Sequence, residues 1–324
     1  MFFSYPSQVF FIFFGFYQFK TENCPFFACY VSSTPHSEPN IPHLSHPSSN
    51  IHYPTSNIQH PNFIPTFAPM LFFKRVFHFL YIIYALAILL ILVVVLFFLV
   101  ILTIFLPTHK RGNAVYFLAR VGVRIGMLLW GIRHKNIFEH PHDSSRPSVF
   151  VFNHISYIDA LVILMAVRKQ RIRGLGKFEI SKIPLFGYIY SSAVIMVKRD
   201  SAEDRARSVQ DLKQAIADNI SIILAPEGTF NMTDAPLMRF YDGAFKVAIE
   251  TQTPIKPLLF LDTYDRLHYG SAFSLTPGKS RVVFLQEVSV EGYTMEDVSL
   301  LRQKVYDQMQ EALIRYKASW IGNC

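Results

Sequence analysis

The stretch Asn153-His154-Ile155-Ser156-Tyr157-Ile158-Asp159 places an imidazole five residues ahead of a carboxylate, between the apolar runs SVFVF and ALVILMAV. An imidazole that hydrogen-bonds a carboxylate through one ring nitrogen can take a proton from a hydroxyl with the other, which is general-base chemistry. The spacing sets a condition on this. Five residues along one helix rotate by about 500°, so His154 and Asp159 meet only if a turn intervenes. With Ser156 as N-cap, His154 occupies the loop and folds back on Asp159 in the first helical turn. Ser156 and Asp159 also satisfy the capping-box pattern, under which Asp159 needs no catalytic duty and His154 is an ordinary loop histidine. These seven residues alone do not choose between the two readings.

A second cluster, Ala225-Pro226-Glu227-Gly228-Thr229-Phe230, directly follows the apolar run SIIL. A glycine at the turn exposes backbone N–H groups and Thr229 adds a hydroxyl, donors that suit an anionic oxygen. An ordinary strand-to-loop turn would look the same. Cys24, Cys29 and Cys324 form no CxxC pair and have no histidine at zinc-ligand spacing, so neither a metal site nor a disulfide framework is expected, and the catalytic domain fits a reducing compartment. No G-x-S-x-G elbow is present, which counts against a serine-nucleophile hydrolase.

The elements that must position these residues divide the 324-residue chain into three parts. Hydrophobic residues make up 51%, more than the roughly 45–50% of soluble domains, and mean hydropathy is +0.25, so some apolar surface is expected to face lipid. Residues 1–69 hold a Phe-rich run and a Pro, Ser, His and Asn tract without periodicity, which reads as a disordered extension or as sequence upstream of a true start at Met70. The Phe-rich run lacks the basic flank and cleavage site of a signal peptide. His36, His43, His46, His52 and His60 read as a solvated tail rather than metal ligands. Residues 70–135 form a membrane-associated helical segment. Phe79 to Leu106 carries no charge and exceeds the ~20 residues a membrane helix needs. Basic residues on both sides of it leave its orientation open, and its length permits a tilted span or a re-entrant helix. In Ala114 to Ile132, Arg120 and Arg124 sit one turn apart among apolar residues, as in an interfacial helix whose arginines reach headgroups, or one packed on the domain.

Residues 136–324 read as an α/β catalytic domain: a mixed β-sheet flanked by helices, preceded by the membrane helix. Strands are expected at Ser148–Phe152, Ala193–Val197, Ser221–Leu224, Ile255–Leu261 and Arg281–Leu285. Capping signals at Ser201/Asp204 and Thr294/Asp297 open two amphipathic helices, the first running to about Asn219. The net charge of +8 suits anionic phospholipid, nucleic acid or a phosphorylated substrate. No basic and aromatic nucleic-acid motif appears, so no nucleic-acid partner is expected.

Taken together, Asn153, His154 and Asp159, then Pro226 to Thr229, in this order, resemble the glycerolipid acyltransferase family that contains the 1-acyl-glycerol-3-phosphate acyltransferases. The resemblance covers roughly Pro147 to Leu261 and the preceding membrane helix. Gly176 to Ile180 looks like the family's lysine-containing segment, with Lys177, and Val197 to Asp200 supplies Arg199 where the family carries a phosphate-binding arginine. Thr253 to Phe260 resembles its Pro-containing strand. The resemblance implies transfer of an acyl group from acyl-CoA or acyl-carrier protein, as co-substrate and without a cofactor, to the hydroxyl of a lysophospholipid at the bilayer. His154 would be the base and Asp159 its orienting partner. Lys177, Arg199, Glu227, Gly228 and Thr229 would bind the acceptor, Glu227 acting through a hydroxyl, a lysine or the backbone because it would repel phosphate directly. The catalytic domain is expected on the cytoplasmic face of a membrane. Two departures bear on the acceptor. Phe230 and Asn231 stand where the family often has Arg-Ser, and Ser191-Ser192-Ala193 lacks the usual glycine. A lyso-aminolipid is therefore the alternative acceptor, and a non-catalytic membrane-tethered lipid-binding protein a remote one.

Overall fold

The computed structural model describes residues 68–197 and 202–322. The expectations for the N-terminal extension with its histidines, for Arg199 and for the Ser201 cap lie outside the described residues. The chain divides into two units between Phe77 and His78. Of residues 17–77 the structure describes the first turns of helix α1 (Ala68–Leu102), where Phe72, Phe73 and Phe77 are exposed.

From His78 onward, α1 continues without a break to Leu102, and a single 3-10 turn and Pro107 separate it from α2 (Thr108–Leu129). The turn arises because Pro107 cannot continue a helical ladder. Leu92 and Leu96 of α1 face Gly126 and Gly122 of α2, so the two helices run antiparallel, and a Cβ at Gly122 would meet Leu96 at 2.8 Å. Trp130 donates its indole N–H to the Ala85 carbonyl while Tyr81 donates to the Trp130 carbonyl, tying α1 to the end of α2.

Seven strands form one sheet: β1 (Ile132–Phe138), β2 (Val149–Phe152), β3 (Ile172–Lys177), β4 (Ile195–Val197), β5 (Ser221–Leu224), β6 (Ile255–Phe260) and β7 (Gly278–Phe284), in the order β1-β7-β6-β2-β5-β3-β4. β6, β2, β5, β3 and β4 are mutually parallel, while β7 is antiparallel to β6 and β1 parallel to β7. The central strands VFVF and SIIL are buried at every position, as a parallel sheet covered on both faces requires. Val149 and Val151 point into a core with α5 (Ala202–Ala217), α6 (Gly243–Glu250) and α8 (Val298–Arg315). Phe150 and Phe152 point into the other, with α1, α2 and α3 (Asp159–Ala166).

The structure departs from the sequence reading at identifiable places. β1 and β3 were not expected: β1 is an edge strand whose solvent face is Arg133 and Lys135, and β3 contains two glycines, so neither offers an apolar run. Ile132 opens β1 instead of closing α2, and the boundary expected at 135/136 falls inside that strand. Ala193 closes α4 (Phe186–Ala193), which leaves only Ile195–Val197 extended. The Thr294/Asp297 capping box forms as expected, through one 3-10 turn leading into α8.

Candidate active site

The turn after β2 is built around one carboxylate. Asp159, fully buried as the first residue of α3, accepts the N–H groups of Ile155 and Ser156 through Oδ2, each at 2.9 Å. The same oxygen accepts His154 Nδ1 at 2.8 Å. Ser156 is therefore not the N-cap. Its hydroxyl accepts the Ile158 N–H at 3.2 Å and donates to the Leu267 carbonyl, and its backbone bridges to His268, so the turn is clamped from outside by the chain following α7 (Thr263–Arg266). No Ser156/Asp159 capping box forms, because Ser156 Oγ accepts from Ile158 and not from Asp159, while one oxygen of Asp159 holds both the turn's backbone and the imidazole. Asp159 Oδ1 is buried without a hydrogen-bond partner among the described residues. The hydrogen bond fixes Nδ1 as the nitrogen facing the carboxylate. Nε2 has no hydrogen-bond partner among the described residues, and the His154 side chain is 22% exposed.

Aromatic rings wall the imidazole. Phe152 stands edge-on with centroids 5.7 Å apart, and Phe230 is tilted over it at 4.3 Å, backed by Tyr157. Asn153 fixes the strand end: its side chain donates to the Phe260 carbonyl and accepts the Phe260 N–H, joining the ends of β2 and β6.

Glu227 is buried, and its two oxygens are both engaged by backbone. Oε1 accepts the His154 N–H and Oε2 the Met238 N–H, each at 2.9 Å. The Glu227 carboxylate thus ties the His154 backbone to that of Met238. Burial raises its pKa from 4.5 to about 7, against the pull of the two N–H bonds, with the charge of Asp159 adding to the rise. Gly228 has φ +71°, a conformation glycine adopts without strain, and its N–H closes the turn on Ala225. That N–H is thus already engaged, whereas Thr229 is exposed beside it. Lys177 ends β3 and is half-buried, with its register partner Val197 ending β4 two residues before Arg199. His154, Lys177 and Glu227 sit at or just beyond the carboxyl ends of parallel strands, where open α/β sheets place their sites.

Sequence reasoning missed three parts of this site. Phe230 was noted only as a missing arginine, Met238 is brought in by a loop with no local signal, and Leu267 and His268 arrive from more than a hundred residues away. Among the described residues no cluster of His, Cys, Asp or Glu could hold a metal ion.

A His–Asp pair at the carboxyl edge of a parallel sheet, whose nearby serine hydroxyl is committed to a carbonyl, has the geometry to take a proton from an external hydroxyl. Residues 132–261 match the family model Acyltransferase. The 1-acyl-sn-glycerol-3-phosphate acyltransferase of Cocos nucifera is 27% identical over 175 residues, which are 53% of this chain and 56% of that protein. The beta enzyme of the same name from Homo sapiens is 26% identical over 207 residues, 63% of this chain and 73% of its own. The match thus spans little more than half the length of the first of these relatives. The crystal structure of the 1-acyl-sn-glycerophosphate (LPA) acyltransferase, PlsC, from Thermotoga maritima superposes with a TM-score of 0.61 at 22% identity, covering 76% of this chain and 99% of that one. That likeness shows the fold.

Proposed function

We propose that this chain transfers a fatty acyl group from an acyl thioester, on coenzyme A or acyl-carrier protein, to the free hydroxyl of 1-acyl-glycerol-3-phosphate, giving phosphatidate at a membrane. The observation that carries the reading is the 2.8 Å bond from His154 Nδ1 to a buried carboxylate, with Nε2 left for a substrate hydroxyl. The names of the relatives supply the acceptor.

In this reading the acceptor hydroxyl donates to His154 Nε2. As its oxygen attacks the thioester carbonyl, the proton passes to Nε2 and Asp159 stabilises the imidazolium. The tetrahedral intermediate expels the thiolate, which regains the proton from the imidazolium, so no group remains on the protein. Glu227 keeps the His154 backbone in place. Lys177, Arg199 and Thr229 orient the headgroup, positioning that can be worth several kcal/mol. α1 and α2 hold the domain at the bilayer that supplies the acceptor, because Phe72–Phe105 and Lys110–Leu129 are long and apolar enough to cross one. The domain faces the cytoplasm, where thioester donors are made.

Phe230 favours a second reading of the acceptor, a lyso-aminolipid, because an aromatic ring rather than a cation stands against His154. Membranes carrying the full chain or His154→Ala, given labelled acyl-CoA or acyl-carrier protein with lysophosphatidate and lyso-aminolipid in parallel, decide between them. His154-dependent labelling of lysophosphatidate is expected. Labelling of the aminolipid alone would change the acceptor, and product independent of His154 would remove the base.

A further inference from the structure

The cations that the proposed reaction does not use are not spread evenly. From Thr108 to Phe138 and from Ala160 to Phe178 the chain contains Lys and Arg but no Asp or Glu. The fold brings parts of these two stretches together: the Arg120 guanidinium on α2 donates to the carbonyls of Arg168 and Gln170, in the loop between α3 and β3. Arg120 is thereby spent on holding the loop, while Arg168, Lys169 and Arg171 remain exposed. None of these three, nor Arg124 one turn beyond Arg120, has an acidic partner among the described residues. The crowding of like charge is felt locally. Burial lowers the pKa of Arg173, and the adjacent Arg171 lowers it further.

Beside the loop, α2 exposes Phe117, Val121, Ile125 and Leu128. At about 100° per residue these four fall on one stripe, with Arg124 bordering it and Arg120 further round on the same flank, which meets the loop. An apolar stripe bordered by unpaired cations matches a bilayer interface, with apolar groups at the acyl boundary and guanidinium and ammonium groups at phosphate depth.

We propose that Arg124 together with the Arg168–Lys169–Arg171 loop forms a docking surface for anionic lipid headgroups, so that the protein prefers a negatively charged bilayer and holds its α2 stripe against it. The inference concerns the host membrane and is independent of which acceptor is acylated. Each cation near an anionic surface strengthens binding by roughly fivefold, so removing three should cost on the order of a hundredfold at low salt.

The test is flotation of the full chain with phosphatidylcholine vesicles, with or without phosphatidylglycerol, over a salt series. The variants are R168E/K169E/R171E and the milder R168Q/K169Q/R171Q, the latter guarding against misfolding of the former, each checked by circular dichroism. The expected result is a preference of the wild type for the anionic vesicles that fades with salt and is lost in the folded variants, which still float with phosphatidylcholine through their apolar helices. A preference retained by both variants overturns the proposal. So does a wild type indifferent to phosphatidylglycerol, or one that leaves anionic vesicles for a structured RNA.

Discussion

Asp159 Oδ2 carries three hydrogen bonds, two structural and one to the imidazole, so replacing it tests two duties at once. Asp159→Asn keeps the shape but removes the charge that would stabilise an imidazolium. A loss of turnover of about a thousandfold or more is expected, with roughly 1–3 kcal/mol lost in chemical denaturation as the turn weakens. Turnover comparable to wild type in a folded variant would leave Asp159 only its hold on the turn. Glu227 differs, because its two backbone donors favour an anion while burial favours the neutral acid, and the balance falls at about 7. The folded chain therefore retains a proton that the unfolded chain releases as pH rises from about 4.5 to 7, and the stability contributed by Glu227 falls over that window and stays low above it. Glu227→Gln cannot ionise, so its stability relative to wild type should improve from pH 5 to pH 8 in thermal unfolding, and the opposite trend would remove the raised pKa. Its turnover should fall on the order of tenfold to a hundredfold, since an amide satisfies only one of the two donors and lets the His154 backbone shift.

At the scale of elements, the site depends on strand ends being held in register. Asn153 joins β2 to β6 through a pair of hydrogen bonds in a buried position. Asn153→Ala leaves the Phe260 N–H and carbonyl unpaired and should cost roughly 1–3 kcal/mol in urea unfolding. Turnover should fall with it, because His154 is the next residue. The turns after β2 and β5 were legible in sequence because each combines a short apolar run, a polar break and a functional side chain within a few residues. β1 was not, since an edge strand paired on one side tolerates the alternation of Arg133, His134, Lys135 and Asn136 that reads as loop. Nor was the clamp by Leu267 and His268, which follows α7 and carries no pattern tying it to Ser156.

Across the whole molecule, α1 buries Ile82, Ala85, Val93 and Val100 and exposes Ile91, Val95, Phe98 and Leu102, which recur at helical spacing along one face. That exposed face is far more apolar than a soluble surface tolerates. Replacing Ile91, Val95 and Phe98 together by Glu should release the protein from membranes in alkaline carbonate, and retention in the pellet would mean that this face is not the anchor. The membrane-type helix, the order of the two motifs and the α/β pattern were determined by the sequence itself, because each rests on hydrophobic runs and on residues within a few positions of one another. Only the tertiary structure decided what Asp159 and Glu227 bond to, that Phe230 covers His154, and that Arg120 folds back onto the Arg168 loop instead of reaching outward. Those outcomes depend on which distant backbone donors and acceptors the sheet topology brings within 3 Å, and no local pattern of residue types encodes that distance.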